Sequence, residues 1–335
     1  MFEYKNFPSP ADLKAELPLE NEERAFIEGS RKAAQEIASG RDGRLAIITG
    51  PCSIHEIEGA LDYARELKKL SLKIEESSFL VMRVYVEKSR TGVGWKGLLY
   101  DPHLDGSSSI EAGLRLSRQL FIELAKLRVP IAVEFVDPLV SLYFDDLITW
   151  GFIGARTSYS QPHRQLASSL PFPIGFKNGL DGDLDQTLHS ILSSKAPHTF
   201  LYVDNEGKLA PKQSSGNPCS HLVLRGSLSG TNYDEESVNR ACESLKEQSL
   251  SPRLLIDCAH GNSQKDYEKQ KEVFAAVIQQ VQKGSDRIMG VMLESHLHAG
   301  SQRFDLDGSP LKYGISITDP CLDWISTEEL ILSTV

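Results

Sequence analysis

Four residues of this 335-residue chain are of types that could together hold a transition-metal ion: Cys52, His260, Glu294 and Asp319. One thiolate, one imidazole and two carboxylates make a donor set of intermediate softness. Such a set suits Mn, Fe, Co, Zn or Cu better than Mg or Ca. A single cysteine after an apolar run is usually just a small core residue. Four such residues, each at the end of an apolar run or in the loop after one, are harder to dismiss. His55, His296 and His298 are rival histidines. His55 is read as at most an outer neighbour of the site, and His298 as a surface residue.

Six cations occupy the same kind of position: Arg83, Lys88, Arg90, Arg156, Lys177 and Arg225. Converging them on one cavity would be repulsive unless an anion were bound there. Guanidinium forks match phosphate and carboxylate in pairs of hydrogen bonds, whereas lysine supplies a point charge. The bland alternative is salt bridging at a rim, with Glu134, Glu87 and Asp101 as partners. Neither GxxxxGK[ST] nor GxGxxG occurs, so no nucleotide phosphate loop is expected.

The elements that must position these groups are legible as eight short apolar runs. They lie at 46–51, 79–82, 131–133, 152–155, 172–176, 222–224, 254–259 and 288–293. Helical patterns separate them, at 56–70, 109–128, 138–150, 163–170, 183–194, 235–248 and 265–283. Alternation of strand and helix predicts βα units around a parallel sheet. Candidate site residues at the C-terminal ends of eight strands predict an α/β fold of (β/α)8 TIM-barrel type, because all eight ends meet at one mouth. An N-terminal arm and helix over 1–44 would precede a catalytic barrel over 45–335. The arm would either plug the barrel floor or serve assembly or effector binding. Two segments interrupt the rhythm: a long polar loop at 87–108, and an inserted β-hairpin at about 199–216, before the sixth barrel strand. Loops as long as the first are usually functional or disordered.

The bulk figures bound the partners. A formal net charge of -10 argues against nucleic acid or an anionic membrane, though it says little about a small anion held by a local field. Five cysteines, without a CxxC pair, suggest no disulfide framework and a cytoplasmic location. The N-terminus lacks the pattern of a signal peptide, and no apolar stretch approaches the roughly 20 residues of a membrane helix. Cys321, two residues after Asp319, is placed to approach Cys52, and oxidation of the pair would expel a metal.

Ten blocks, in order, carry a resemblance: GPCSIHE (50–56), RVYVEKSRTGVGWKG (83–97), DPHLD (101–105), EFVDP (134–138), GARTSYSQ (154–161), GFKNGLDG (175–182), HLVLRG (221–226), IDCAHGNS (256–263), GVMLESHL (290–297) and SITDPC (316–321). With these the chain resembles the type I 3-deoxy-D-arabino-heptulosonate 7-phosphate (DAHP) synthases, over about residues 10–330. It looks closest to the feedback-regulated subfamily with an N-terminal extension. The resemblance implies a barrel enzyme that joins phosphoenolpyruvate to erythrose 4-phosphate, the first step of the shikimate pathway. It implies one divalent metal on Cys52, His260, Glu294 and Asp319, with manganese the expected occupant in a crystal. Arg83, Arg156, Lys177 and Arg225 would grip the enol phosphate. Lys88 would lie between the substrates, and Arg90 with Thr91 would take the aldose phosphate. Glu134 would orient cations or water near the enol carbon. The resemblance implies an aromatic amino acid as effector, or none if Tyr202 fills the pocket itself, and a homodimer or homotetramer as the assembly.

Four positions depart from that pattern: Ser89 stands for the usual Pro, Gly92 for Thr, Tyr159 for Glu, and Tyr202 for a small residue in the hairpin that houses the effector in regulated relatives. A rival reading is the 3-deoxy-D-manno-octulosonate 8-phosphate synthase branch, which uses the same enol donor. It is disfavoured because its Lys-Ala-Asn-Arg-Ser segment is Lys88-Ser89-Arg90-Thr91 here. A non-catalytic barrel that only senses metabolites is disfavoured because Lys88 and the four metal candidates are intact.

Overall fold

The computed structural model describes residues 7–306 and 309–334; the first six residues of the expected arm lie outside them. Eight parallel strands close a barrel: β1 (Leu45–Gly50), β2 (Ser78–Arg83), β3 (Ile131–Phe135), β4 (Trp150–Ile153), β5 (Ile174–Lys177), β8 (Ser220–Leu224), β9 (Leu254–Asp257) and β10 (Ile288–Glu294). They neighbour one another in that order, and β10 returns to β1. The predicted TIM barrel is therefore the observed one, and each of the eight apolar runs contributes a barrel strand. The remaining two strands, β6 (His198–Val203) and β7 (Leu209–Ser214), form the inserted antiparallel hairpin before the sixth barrel strand.

Within each strand successive side chains face opposite ways. Ala46 and Ile48 of β1, Val81 of β2, Ala132 of β3, Phe152 of β4, Val223 of β8, Leu255 of β9 and Met292 of β10 fill the barrel interior. Their neighbours Ile47, Leu80, Met82, Leu222, Leu224, Leu254, Ile256, Val291 and Leu293 join the layer shared with the helices. Gly175 takes the interior position of β5. A Cβ there would stand 2.7 Å from both Phe152 and Val223, so only glycine fits that layer.

The helices are α1 (Pro10–Glu16), α2 (Asn21–Ser39), α3 (Ile57–Ile74), α4 (Ile110–Lys126), α5 (Ser141–Phe144), α6 (Gln161–Ser169), α7 (Asp185–Lys195), α8 (Glu235–Glu247), α9 (Lys269–Gln282) and α10 (Trp324–Leu332). Ala34, Ile37 and Ala38 of α2 belong to the interior cluster with Ala46, Ile48 and Trp150, so this helix plugs the barrel floor. Ser9 caps α1 through a reciprocal pair of hydrogen bonds with Asp12. The N–H of Ala11 donates to the Asn205 carbonyl at 2.8 Å, which fastens α1 to the hairpin turn.

Two expectations need correction. The helix predicted over 138–150 is only a 3₁₀ turn at Pro138–Val140 followed by the single turn α5. The Asp137 carboxylate accepts from the Leu139 N–H and nucleates the tight turn. The Thr149 N–H then donates to the Ile131 carbonyl, so the chain is already back in the sheet when β4 begins. Helix α9 starts at Lys269, not 265. Gln264 and Lys265 have φ of 55° and 64°, a left-handed conformation that no helix can include.

Candidate active site

The inward phase of the strands delivers the site. Two residues beyond each interior side chain, on the same face, come Arg83 after Val81, Glu134 after Ala132, Lys177 after Gly175, Arg225 after Val223, Asp257 after Leu255 and Glu294 after Met292. Cys52 and Arg156 lie in the loops just past β1 and β4. Period two thus converts a hydrophobic layer into a polar one at the barrel mouth.

Cys52, Glu294 and Asp319 offer ligand atoms that all lie within 4.8 Å of one another. His260 joins this group through Glu294, with Nε2 3.6 Å from Oε1. The four donor types suit one divalent cation, and Cys52, Glu294 and Asp319 have the spacing to share it, while His260 lies just outside that group. Burial, reinforced by Glu294, pushes the Cys52 thiol up to about 11, so cation binding there would release a proton. Lys88 Nζ stands 2.8 Å from Cys52 Sγ and 3.1 Å from Asp319 Oδ2. That lysine holds the Asp319 carboxyl well below its usual range despite partial burial. Burial alone would lower Lys88, but the anionic surroundings, with Asp319 and Glu294 among them, outweigh it and raise it. Cys321 is a buried free thiol whose Sγ points at the Asp319 carbonyl at 3.7 Å.

Arg83 is buried and spends its donors on protein. Its Nη2 donates to Glu294 Oε1 at 2.8 Å and to the Cys52 carbonyl at 3.3 Å, and Nε donates to the Pro51 carbonyl. Its guanidinium lies over the Tyr85 ring, 3.7 Å from the centroid. Lys177 Nζ is shared between Glu134 Oε2 at 3.1 Å and Asp257 Oδ2 at 3.3 Å. Burial raises the Glu134 carboxyl, but Lys177 and Arg83 overcome this and leave it below its usual range.

Of these groups Arg83, Lys88, Glu134, His260 and Asp319 line a cavity of about 710 Å³ at the mouth, whereas Cys52, Lys177 and Glu294 are not part of its lining. Its lining includes Arg83, Lys88, Arg90, Arg156, Arg225 and Lys265 against Glu87, Glu134 and Asp319, a formal excess of three positive charges. Arg156 donates to Thr91 Oγ1 from both Nε and Nη2, and Arg225 Nη1 donates only to the Gly226 carbonyl at 3.3 Å. Among the described residues neither has an ion-pair partner, nor does Arg90. The salt-bridged-rim alternative therefore accounts for Arg83, Lys88 and Lys177 but leaves three guanidinium groups free for anions.

The loop after β2 is fastened at both ends. The Lys88 N–H donates to the Lys96 carbonyl at 2.8 Å. Glu87 accepts from the Val136 and Asp137 N–H groups and from the Tyr100 hydroxyl. Burial outweighs these donors and pushes the Glu87 carboxyl up to about 8. The folded chain thus binds this proton more tightly than the unfolded chain does. Its contribution to stability is complete below about 4.5 and is lost as pH rises through about 8. A Glu87→Gln protein is expected to show a flatter decline of melting temperature between about pH 6 and pH 9 than the wild type. Parallel melting curves across that range would remove this account of the loop anchor.

Of the rival histidines, His55 and His296 are buried beside one another, ring centroids 6.0 Å apart, and neither ring lines the cavity. The Tyr159 hydroxyl is buried against Gly179 and also lies away from the cavity. Residues that reading the sequence did not single out include Tyr85, Gln264, Lys265, Ser227 and Leu228 in the lining, and Asp257 behind His260. The strand phase would have found Asp257. The 227–230 turn gave no such signal.

Comparison with known proteins comes to the same place. The family model described as the DAHP synthetase I family matches residues 17–332. A Tyr-sensitive phospho-2-dehydro-3-deoxyheptonate aldolase of Escherichia coli K12 is 45% identical over 323 residues, covering 96% of this chain and 90% of the relative. A Trp-sensitive counterpart from Salmonella typhimurium is 43% identical over 323 residues, covering 96% and 92%. A solved phospho-2-dehydro-3-deoxyheptonate aldolase from Francisella tularensis SCHU S4 superimposes with a TM-score of 0.96 at 42% identity, covering 100% of this chain and 98% of that one. No helix among the described residues is long and apolar enough to cross a membrane.

Proposed function

The chain belongs to the DAHP synthetase I family, and from that premise we propose that its mouth cavity joins phosphoenolpyruvate to erythrose 4-phosphate with the help of one divalent cation. DAHP synthase activity opens aromatic biosynthesis, and the finer assignment rests on one observation. Three guanidinium groups without carboxylate partners, Arg90, Arg156 and Arg225, face one cavity with Lys88 and a Cys52–His260–Glu294–Asp319 cluster at its base.

The roles follow from position. Arg83, Arg156 and Arg225, with Lys177 behind them, hold the enol phosphate and carboxylate in attack geometry, which offsets association entropy in advance. Arg90 and Thr91, on the exposed rim, take the aldose phosphate. Lys88, between the two regions, donates to the aldehyde oxygen, so the charge that develops there meets a preorganised ammonium. C3 of the enol attacks the aldehyde carbon, C2 gains oxocarbenium character, water adds at C2, and the hemiketal phosphate collapses with C–O cleavage to DAHP and phosphate. Glu134, held beside C2 by Lys177, orients the water. A cation on Cys52, His260, Glu294 and Asp319 would supply Lewis acidity. The test is phosphate release that requires erythrose 4-phosphate, fails with arabinose 5-phosphate and is abolished by EDTA. Release independent of the aldose would overturn the reading.

The hairpin is the proposed seat of an aromatic amino-acid effector. Tyr202 fills part of it: the side chain is buried, its hydroxyl donates to the Pro138 carbonyl at 2.5 Å, and its ring packs edge-on against Phe200. An effector ring must displace this one. Tyr202→Ser is therefore expected to lose about 3 kcal/mol of stability to the cavity it leaves, and to be inhibited by lower concentrations of Phe, Tyr or Trp than the wild type. Superimposable inhibition curves would place the effector elsewhere.

A further inference from the structure

We propose that Asp257 is a positioning residue that sets the tautomer of His260, so that the Nε2 lone pair, not an N–H, faces Cys52, Glu294 and Asp319. The inference rests on the metal reading above.

Asp257 is fully buried at the inward end of β9. Its Oδ1 accepts from the Ala259 N–H at 3.0 Å, which shapes the turn into the His260 loop. A purely structural role would be exhausted by that bond. Oδ2 points the other way, 2.9 Å from His260 Nδ1 and 3.3 Å from Lys177 Nζ. His260 Nδ1 and Asp257 Oδ2 are both buried and neither has a hydrogen-bond partner; their mutual contact at 2.9 Å is close but poorly aligned. An unpaired buried donor or acceptor is costly, so two such atoms at this separation are each other's natural partners. A carboxylate can only accept here, which places the imidazole proton on Nδ1. Nε2 is then left as a lone pair 3.6 Å from Glu294 Oε1, a pairing of two electron-rich atoms that a shared cation would relieve.

The surroundings make the arrangement rigid. Lys177 is shared with Glu134, so Asp257 Oδ2 keeps acceptor capacity for a second donor, which the neutral imidazole supplies through its Nδ1 proton. His260 itself has a φ of 56°, a backbone conformation that β-carbon-bearing residues adopt rarely. Outer carboxylates that orient a ligating imidazole are worth 10–100-fold in metal affinity.

An Asp257→Asn protein supplies the test. Its amide can donate to Nδ1 and so favour the tautomer with the proton on Nε2, which cannot ligate. Mn(II) and Zn(II) dissociation constants would be measured by chelator competition, without turnover, alongside the melting temperature. A rise of about 10–100-fold in the metal dissociation constant is expected. A constant unchanged from wild type, whatever happens to melting or activity, overturns the proposal and leaves the metal reading standing. Wild-type protein that binds neither metal overturns both. If Asp257→Asn does not fold, ¹⁵N-histidine NMR of the Zn(II)-loaded wild type decides: a proton on His260 Nδ1 supports the assignment, and one on Nε2 refutes it.

Discussion

A Cys52→Ala protein is expected to fold, to retain little metal and to lose at least about 100-fold in turnover. The side chain is small and fully buried, so its removal leaves a minor void in a loop. Its ligand role is less replaceable. Within the described residues, the thiol is the one sulfur donor in the cluster that also contains Glu294 and Asp319. Losing a direct ligand must exceed the 10–100-fold cost of losing an outer partner. Lys88 would keep Asp319 as its remaining partner at 3.1 Å and stay ordered. Metal content by mass spectrometry and phosphate release should therefore fall together while the melting temperature changes little. Metal retained in full would remove Cys52 from the site.

Lys177→Ala is expected to separate the two constellations. The donor-binding cation disappears while Cys52, His260, Glu294 and Asp319 remain, so metal is kept and affinity for phosphoenolpyruvate falls by about 100-fold, the scale of breaking a desolvated charge contact. Stability also suffers. Glu134 and Asp257 would be left facing each other without their shared ammonium, and an uncompensated buried pair of this kind costs about 3–5 kcal/mol. Lys177→Ala/Glu134→Gln should regain part of that loss without regaining donor affinity. Binding of phosphoenolpyruvate measured by calorimetry is the readout, and unchanged affinity in the single variant would reassign the donor site to Arg156 and Arg225 alone.

Both predictions draw on a local field opposed to the global one. The chain carries a formal charge of -10, yet its mouth cavity is lined by three more cations than carboxylates. Low-dielectric walls focus such a local excess on a small anion. Arg83 shows that not every strand-end cation belongs to that surplus, since its guanidinium is committed to Glu294 and the 51–52 carbonyls.

The architecture, and most of the residues that meet at the mouth, can be read from the order of residues alone. Eight apolar runs alternating with helices permit few arrangements, and a polar residue at each run's end marks the mouth whatever the detailed packing. Lys177 and Glu294 were legible because a side-chain period of two is a local property of the backbone. Asp257 obeys the same phase, but the apolar run continues through Cys258 and Ala259 to the more conspicuous His260, which masks it. Which charges pair is not legible locally. That Lys177 meets two carboxylates, that Lys88 reaches Cys52 across 36 positions, and that Tyr202 closes over Pro138 all depend on long-range approach. The short turn at 138–144 has the same cause. Its periodicity favoured a helix, but the chain's return to β3 through Thr149 left no room for one, and sheet hydrogen bonding overrode local propensity.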